Sequence, residues 1–171
     1  MIKKIFLILV PICLLLGCLC FLNSEKFYSE YWLQKKMHQY SGIELLENID
    51  LSGEVLTYKF YHDASVDVEI SVYEKGYLTV GINKWFKDNS SHKTYAFEID
   101  KKEVNRLLIE FKNNYTESLF EYTEVHVGGI YYLMEYNGEK SIKVGFFNTE
   151  PEQDFVLLKN EMLRITEAIL P

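Results

Sequence analysis

Hydrophobic positions along this chain show three kinds of spacing. From Ile5 to Leu22 they form one apolar run, interrupted only by Pro11 and Gly17. Between residues 23 and 50, Phe27, Tyr28, Tyr31, Trp32, Met37 and Tyr40 recur roughly as a helical stripe. This predicts a helical lead-in packed on the main domain. Ser41-Gly42-Ile43-Glu44 then reads as a capping box for a short helix carrying Leu45 and Leu46. From Glu54 the period becomes two. Leu56, Tyr58 and Phe60 alternate with polar residues, as do Val66, Val68, Ile70 and Val72, then Leu78, Val80 and Ile82, then Tyr95, Phe97 and Ile99. Such alternation predicts strands with one buried face, the habit of antiparallel sheets.

Cross-strand partners must share a face, and this tests each turn. A three-residue loop of Glu74, Lys75 and Gly76 pairs Val72 with Leu78, Ile70 with Val80 and Val68 with Ile82, with Gly76 as the left-handed residue. A two-residue turn there would mix the faces. At Asn137-Gly138 a two-residue type I′ turn is expected instead. It pairs Leu133 with Ile142 and Tyr131 with Val144, and sets Glu135 against Lys140.

Two helices complete the pattern. Asp100 caps the first, with Glu103 three residues on and Val104, Leu107, Leu108 and Phe111 on one stripe. Thr149-Glu150-Pro151-Glu152 opens the last, with Phe155, Leu158, Met162, Ile165 and Ile169 facing inward. The expected fold is α+β, an antiparallel sheet built from hairpins with helices packed on one face. The expected division is 1–22 as signal peptide or membrane anchor, 23–50 as helical lead-in and 51–171 as a single α+β domain.

The first segment carries an address. Lys3 and Lys4 precede the apolar run and no acidic residue appears before Glu25, the signature of an export segment. Leu15-Leu16-Gly17-Cys18 resembles the cleavage box of bacterial lipoprotein signal peptides. That resemblance implies a lipid on Cys18, which becomes the first mature residue. Leu16 departs from the pattern, since a smaller or β-branched residue is usual there. Leu19, Cys20, Phe21 and Leu22 prolong the run, so a retained anchor is a second reading and a plain secretory signal a third. In each, the domain lies outside the cytoplasm, in the cell envelope for the anchored forms.

Composition narrows the classes further. With 48% hydrophobic and 25% charged residues, the chain is globular rather than disordered. The net charge is −7, and without Lys3 and Lys4 it is −9, which opposes nucleic-acid binding through phosphates. Cys13, Cys18 and Cys20 all precede the domain, leaving it no disulfide, cysteine zinc site or thiol nucleophile.

Catalytic patterns are missing from the sequence: there is no GxSxG, P-loop, GxGxxG or HExxH. His62-Asp63 could form half of a base–orienter pair, and Glu124 with His126 could share a metal. Neither has a third group at diagnostic spacing. No cofactor is expected. The more informative feature is the face opposite Val68, Ile70 and Val72. It places Asp67, Glu69 and Tyr73 beside Tyr77 across the hairpin, with Trp85 at the strand end. Aromatic and acidic residues on an uncovered sheet face suit a protein interface with a basic partner.

The functional expectation is therefore a membrane-anchored lipoprotein of the cell envelope that binds another protein without chemistry, of inhibitor or immunity type. An envelope assembly factor, or a hydrolase with an unfamiliar site, are the other classes. Mass spectrometry of the mature N-terminus should find lipid on Cys18. A chain still beginning at Met1 would reject processing and leave the transmembrane anchor.

Overall fold

A computed structural model describes residues 30, 33, 36, 49–62, 65–83, 92–123 and 129–170, with backbone alone at 65–67, 83, 92 and 93. The N-terminal apolar run with Cys18, the aromatic stripe of the lead-in, the capping box at 41–44, Asp63, Trp85, Glu124 and His126 lie outside the described residues. Among the described residues, no helix is long and apolar enough to cross a membrane.

The chain alternates hairpins and helices in the order β1 (Val55–His62), β2 (Ser65–Tyr73), β3 (Tyr77–Asn83), β4 (His92–Glu98), α1 (Lys101–Asn114), β5 (Leu119–Tyr122), β6 (Ile130–Asn137), β7 (Ser141–Phe147) and α2 (Gln153–Ile169). The seven strands form one sheet in the order β4-β3-β2-β1-β6-β7-β5. All neighbours are antiparallel except β5, which runs parallel to β7 at the edge. The architecture is α+β, as the alternation predicted. The parallel edge pair was not predicted, because four residues are too few to show a period.

Alternation decides the buried face. Leu56 pairs with Val72 and Tyr136, Tyr58 with Ile70 and Met134, and Val80 with Tyr95. These residues, with Val68, Leu78, Ile82, Val144 and Phe146, enter one core. Both helices close over that face. Val104, Leu107, Leu108 and Phe111 of α1 are buried, as are Phe155, Leu158, Met162 and Ile165 of α2. Phe155 meets Tyr58 and Phe146 edge-on, with ring centroids 6.4 and 5.0 Å apart. Asp100 caps α1 by accepting from the Lys102 amide at 2.9 Å.

Two residues of the lead-in reach the same side. Glu30 and Leu33 are helical and buried in the core. The Tyr58 hydroxyl donates to Glu30 Oε1 at 2.9 Å, and Lys159 Nζ of α2 approaches the same oxygen at 3.1 Å. The two helices are further linked at the surface. Arg106 of α1 bridges Glu103 and Glu161, and Arg164 makes a bidentate pair with Glu161 at 2.8 Å. The Arg164 hydrogen bonds, reinforced by Arg106 against the opposing effect of burial, hold Glu161 at about 2.

Two hairpins test the turn chemistry. At Glu74–Gly76 the expected register holds, with Tyr73 opposite Tyr77 and Gly76 at φ 91°. At Gly138 it does not. The loop is Gly138, Glu139 and Lys140, with Asn137 opposite Ser141 and Leu133 opposite Gly145 rather than Ile142. Gly138 is not left-handed, as a type I′ turn would need. The longer loop puts Glu135 opposite Lys143, a salt bridge of 2.7 Å, and turns Tyr132, Met134 and Tyr136 toward the helices. The sequence was ambiguous here because β6 is apolar on both alternate sets. A second correction falls on β2. A register shift opposes Phe60 to Val68 and Tyr61 to Val66. Asp67 is thus the extra residue of a bulge, and Val66 leaves the alternation of Val68, Ile70 and Val72.

Two substitutions test the core in opposite directions. Leu158→Ala should lower stability by roughly 2–5 kcal/mol, since it empties a buried site. Tyr115→Phe should raise it by roughly 1 kcal/mol, because the buried Tyr115 hydroxyl has no hydrogen-bond partner. Urea unfolding of both variants checks the pair; a loss on Tyr115→Phe would mean that the hydroxyl is satisfied.

Candidate interaction surface

The face away from α1 and α2 is the one on which sequence reasoning placed its site. Its rows can be read across the sheet. Tyr77 and Tyr73 face each other at the β2–β3 end, with Glu98 of β4 beside Tyr77. The next row runs Thr79, Ser71, Thr57, Glu135, Lys143. Thr57 and Ser71 share a hydrogen bond of 2.9 Å and are both buried. A third row carries Gly81, Glu69, Lys59, Leu133 and Gly145. Beyond it stand Tyr61, Tyr131, Phe147 and Tyr122, one from each of β1, β6, β7 and β5.

That last row is a ladder of rings. Tyr61 and Tyr131 stack at 5.0 Å and 29°, and Tyr131 and Phe147 at 3.5 Å and 11°. Phe120 extends it toward the edge, opposite Gly145. A Cβ at Gly145 would lie 2.8 Å from the Tyr131 hydroxyl oxygen and 3.0 Å from Phe120 Cδ1. The missing side chain is what lets both rings close over β7. At the edge the rings reach water: Phe120 is 47% exposed and Tyr122 72%.

Electrostatics divide the face. Glu135 sits between Lys59 Nζ at 2.5 Å and Lys143 Nζ at 2.7 Å. Burial works to raise its pKa, but hydrogen bonds from Lys143 and Lys59 overcome this and hold it below its ordinary value of 4.5. Tyr131 is pushed up to about 12, chiefly by burial, with Tyr61 and Glu135 adding to it. Its hydroxyl is therefore neutral near pH 7.

The sequence-chosen residues are distributed as follows. Glu69, Tyr73 and Tyr77 share the open face, half-buried. Asp67 lies at the bulge, where simple alternation no longer fixes its side. Trp85 and Cys18 lie outside the described residues. Tyr61, Tyr131, Phe147, Phe120 and Tyr122 were missed. The signal that could have found them was the apolar character of both alternate sets in β6, which leaves rings over for the outer face. Among the described residues no group of three or more His, Cys, Asp or Glu could hold a metal ion. On the helix side, a depression of about 630 Å³ is lined by Tyr132, Asn148, Glu150, Lys159 and neighbours. There the Lys159 ammonium, paired with Glu30, stands 5.4 Å from the centre of the Tyr132 ring.

No protein-family model matches the chain, and no curated protein matches it.

The Glu135 arrangement predicts an acid response. A lowered carboxyl pKa contributes stability that is complete above the ordinary value and lost as pH falls through the folded value. Wild-type stability should therefore fall below about pH 4.5 more steeply than that of Glu135→Gln. Urea midpoints measured across that range check it; parallel curves would show that the two lysines contribute nothing through Glu135.

Proposed function

We propose that this chain is a membrane-anchored protein of the bacterial cell envelope, held through its N-terminal segment, that binds another protein and carries out no chemistry. An inhibitor or immunity-type role is the concrete form of this reading. The observation that carries it is the one-sided covering of the sheet. The described helical residues pack on one face, and the other keeps Tyr73, Tyr77 and the ladder from Tyr61 to Tyr122. Rigid rings around a belt of ion pairs supply contact area at little cost in side-chain entropy. Glu69 and Glu98, set in an acidic chain, favour a basic partner and an association rate that falls with salt. The export signature and the lipoprotein-like box support the anchored placement.

The test is a binding titration with a protein retained stoichiometrically from envelope extracts by the full chain. Tyr73→Ala and Tyr131→Ala should each weaken binding by more than about 1 kcal/mol, and Glu69→Lys should mainly slow association. Thermal melts run alongside separate lost contacts from lost folding. Unchanged affinity in three folded variants would remove the open face as the binding surface.

A further inference from the structure

The outer edge of the sheet at β5 has properties the rest of the face lacks. β5 is four residues long and, among the described residues, pairs with β7 along one side only. An edge strand offers unpaired amide and carbonyl groups, and proteins protect such edges with lysine, proline or bulges. The Leu-Phe-Glu-Tyr sequence of β5 has no lysine or proline and its pairing shows no register shift. At the opposite edge, β4 carries Lys93.

The side chains of β5 sort by face. Phe120 and Tyr122 are in register with Gly145 and Phe147, on the open side. Glu121 is in register with Phe146, on the helix side, yet is exposed. Glu117, just before the strand, is exposed as well. A strand laid along this edge would meet rings on one side and a carboxylate on the other, alternating residue by residue.

We infer that the edge of β5 is a strand-addition site for an extended, basic segment of a partner protein, in which apolar and cationic residues alternate. Main-chain hydrogen bonds to β5 supply the affinity, and the alternation supplies the choice of partner. The apolar set lies against Phe120 and Tyr122, while the cationic set faces Glu121 and Glu117. The ring geometry favours a peptide over a sugar. A saccharide stacks on open ring faces, but Tyr131 and Phe147 lie parallel at 3.5 Å, with those faces turned on each other. This inference names the kind of partner for the binding role proposed above and rests on it.

The probe is a short synthetic peptide alternating Lys with Val, titrated into the full chain in zwitterionic detergent while backbone amide NMR signals are followed. Shifts centred on Leu119–Tyr122 are expected. Binding should weaken by roughly tenfold when alternate peptide amides are N-methylated or when Glu121→Lys is introduced. Phe120→Ala with Tyr122→Ala should weaken it similarly, and the exposed Glu121 site keeps the test decisive if that double variant unfolds. Equal binding of a Glu–Val peptide, indifference to N-methylation, β5 shifts with chitotetraose instead of peptide, or no β5 shift with the Lys–Val peptide would each overturn strand addition. The partner titration with Tyr73→Ala judges the broader binding role separately.

Discussion

The buried pair of Glu30 and Lys159 is the constraint on which the arrangement of layers depends. Glu30 is 2% exposed and Lys159 6%, so neither charge has water to stabilise it, and desolvating each costs several kcal/mol. They meet at 3.1 Å, and the Tyr58 hydroxyl at the centre of the sheet donates to the same carboxylate. Three separate parts of the chain thereby meet at one point: Glu30, β1 and α2. Withdrawing Glu30 would leave a buried ammonium beside an apolar core, so Glu30 belongs to the folded core. The physical consequence is positional: Glu30 is fixed on the helix side of the sheet.

Among the described residues the helices gather there, and none of the described helical residues packs on the other face. That face is stabilised by local means. Thr57 and Ser71 satisfy each other, Glu135 satisfies two lysines, and Gly145 lets Tyr131 and Phe120 shield the backbone. None of these devices needs a second layer of protein. The result is a face whose polar centre is paired and whose aromatic groups stand at its two ends. A partner therefore finds rings at the margins and settled ion pairs in the middle, and the proposed contacts follow that division.

The sequence alone determined the fold class, both helices with their buried stripes, and the β2–β3 hairpin with its left-handed Gly76. Those features are local: a period of two or 3.6, a cap three residues ahead of a glutamate, a loop whose length must keep valines on one face. It also determined that the domain has no cysteine chemistry and an acidic balance, which are matters of counting. Tertiary structure decided what local pattern left degenerate. In β6 both alternate sets are apolar, so only pairing with β1 and β7 could choose that Met134 goes inward and Tyr131 outward. In β2 the alternation ran on through Val66, and only the β1 register revealed the bulge at Asp67. β5 had too few residues to announce itself, and only its parallel pairing with β7 places it. The aromatic ladder arises where these three undetermined features meet. It joins residues up to 86 positions apart, Tyr61 to Phe147, and no one-dimensional spacing encodes a row built across four strands.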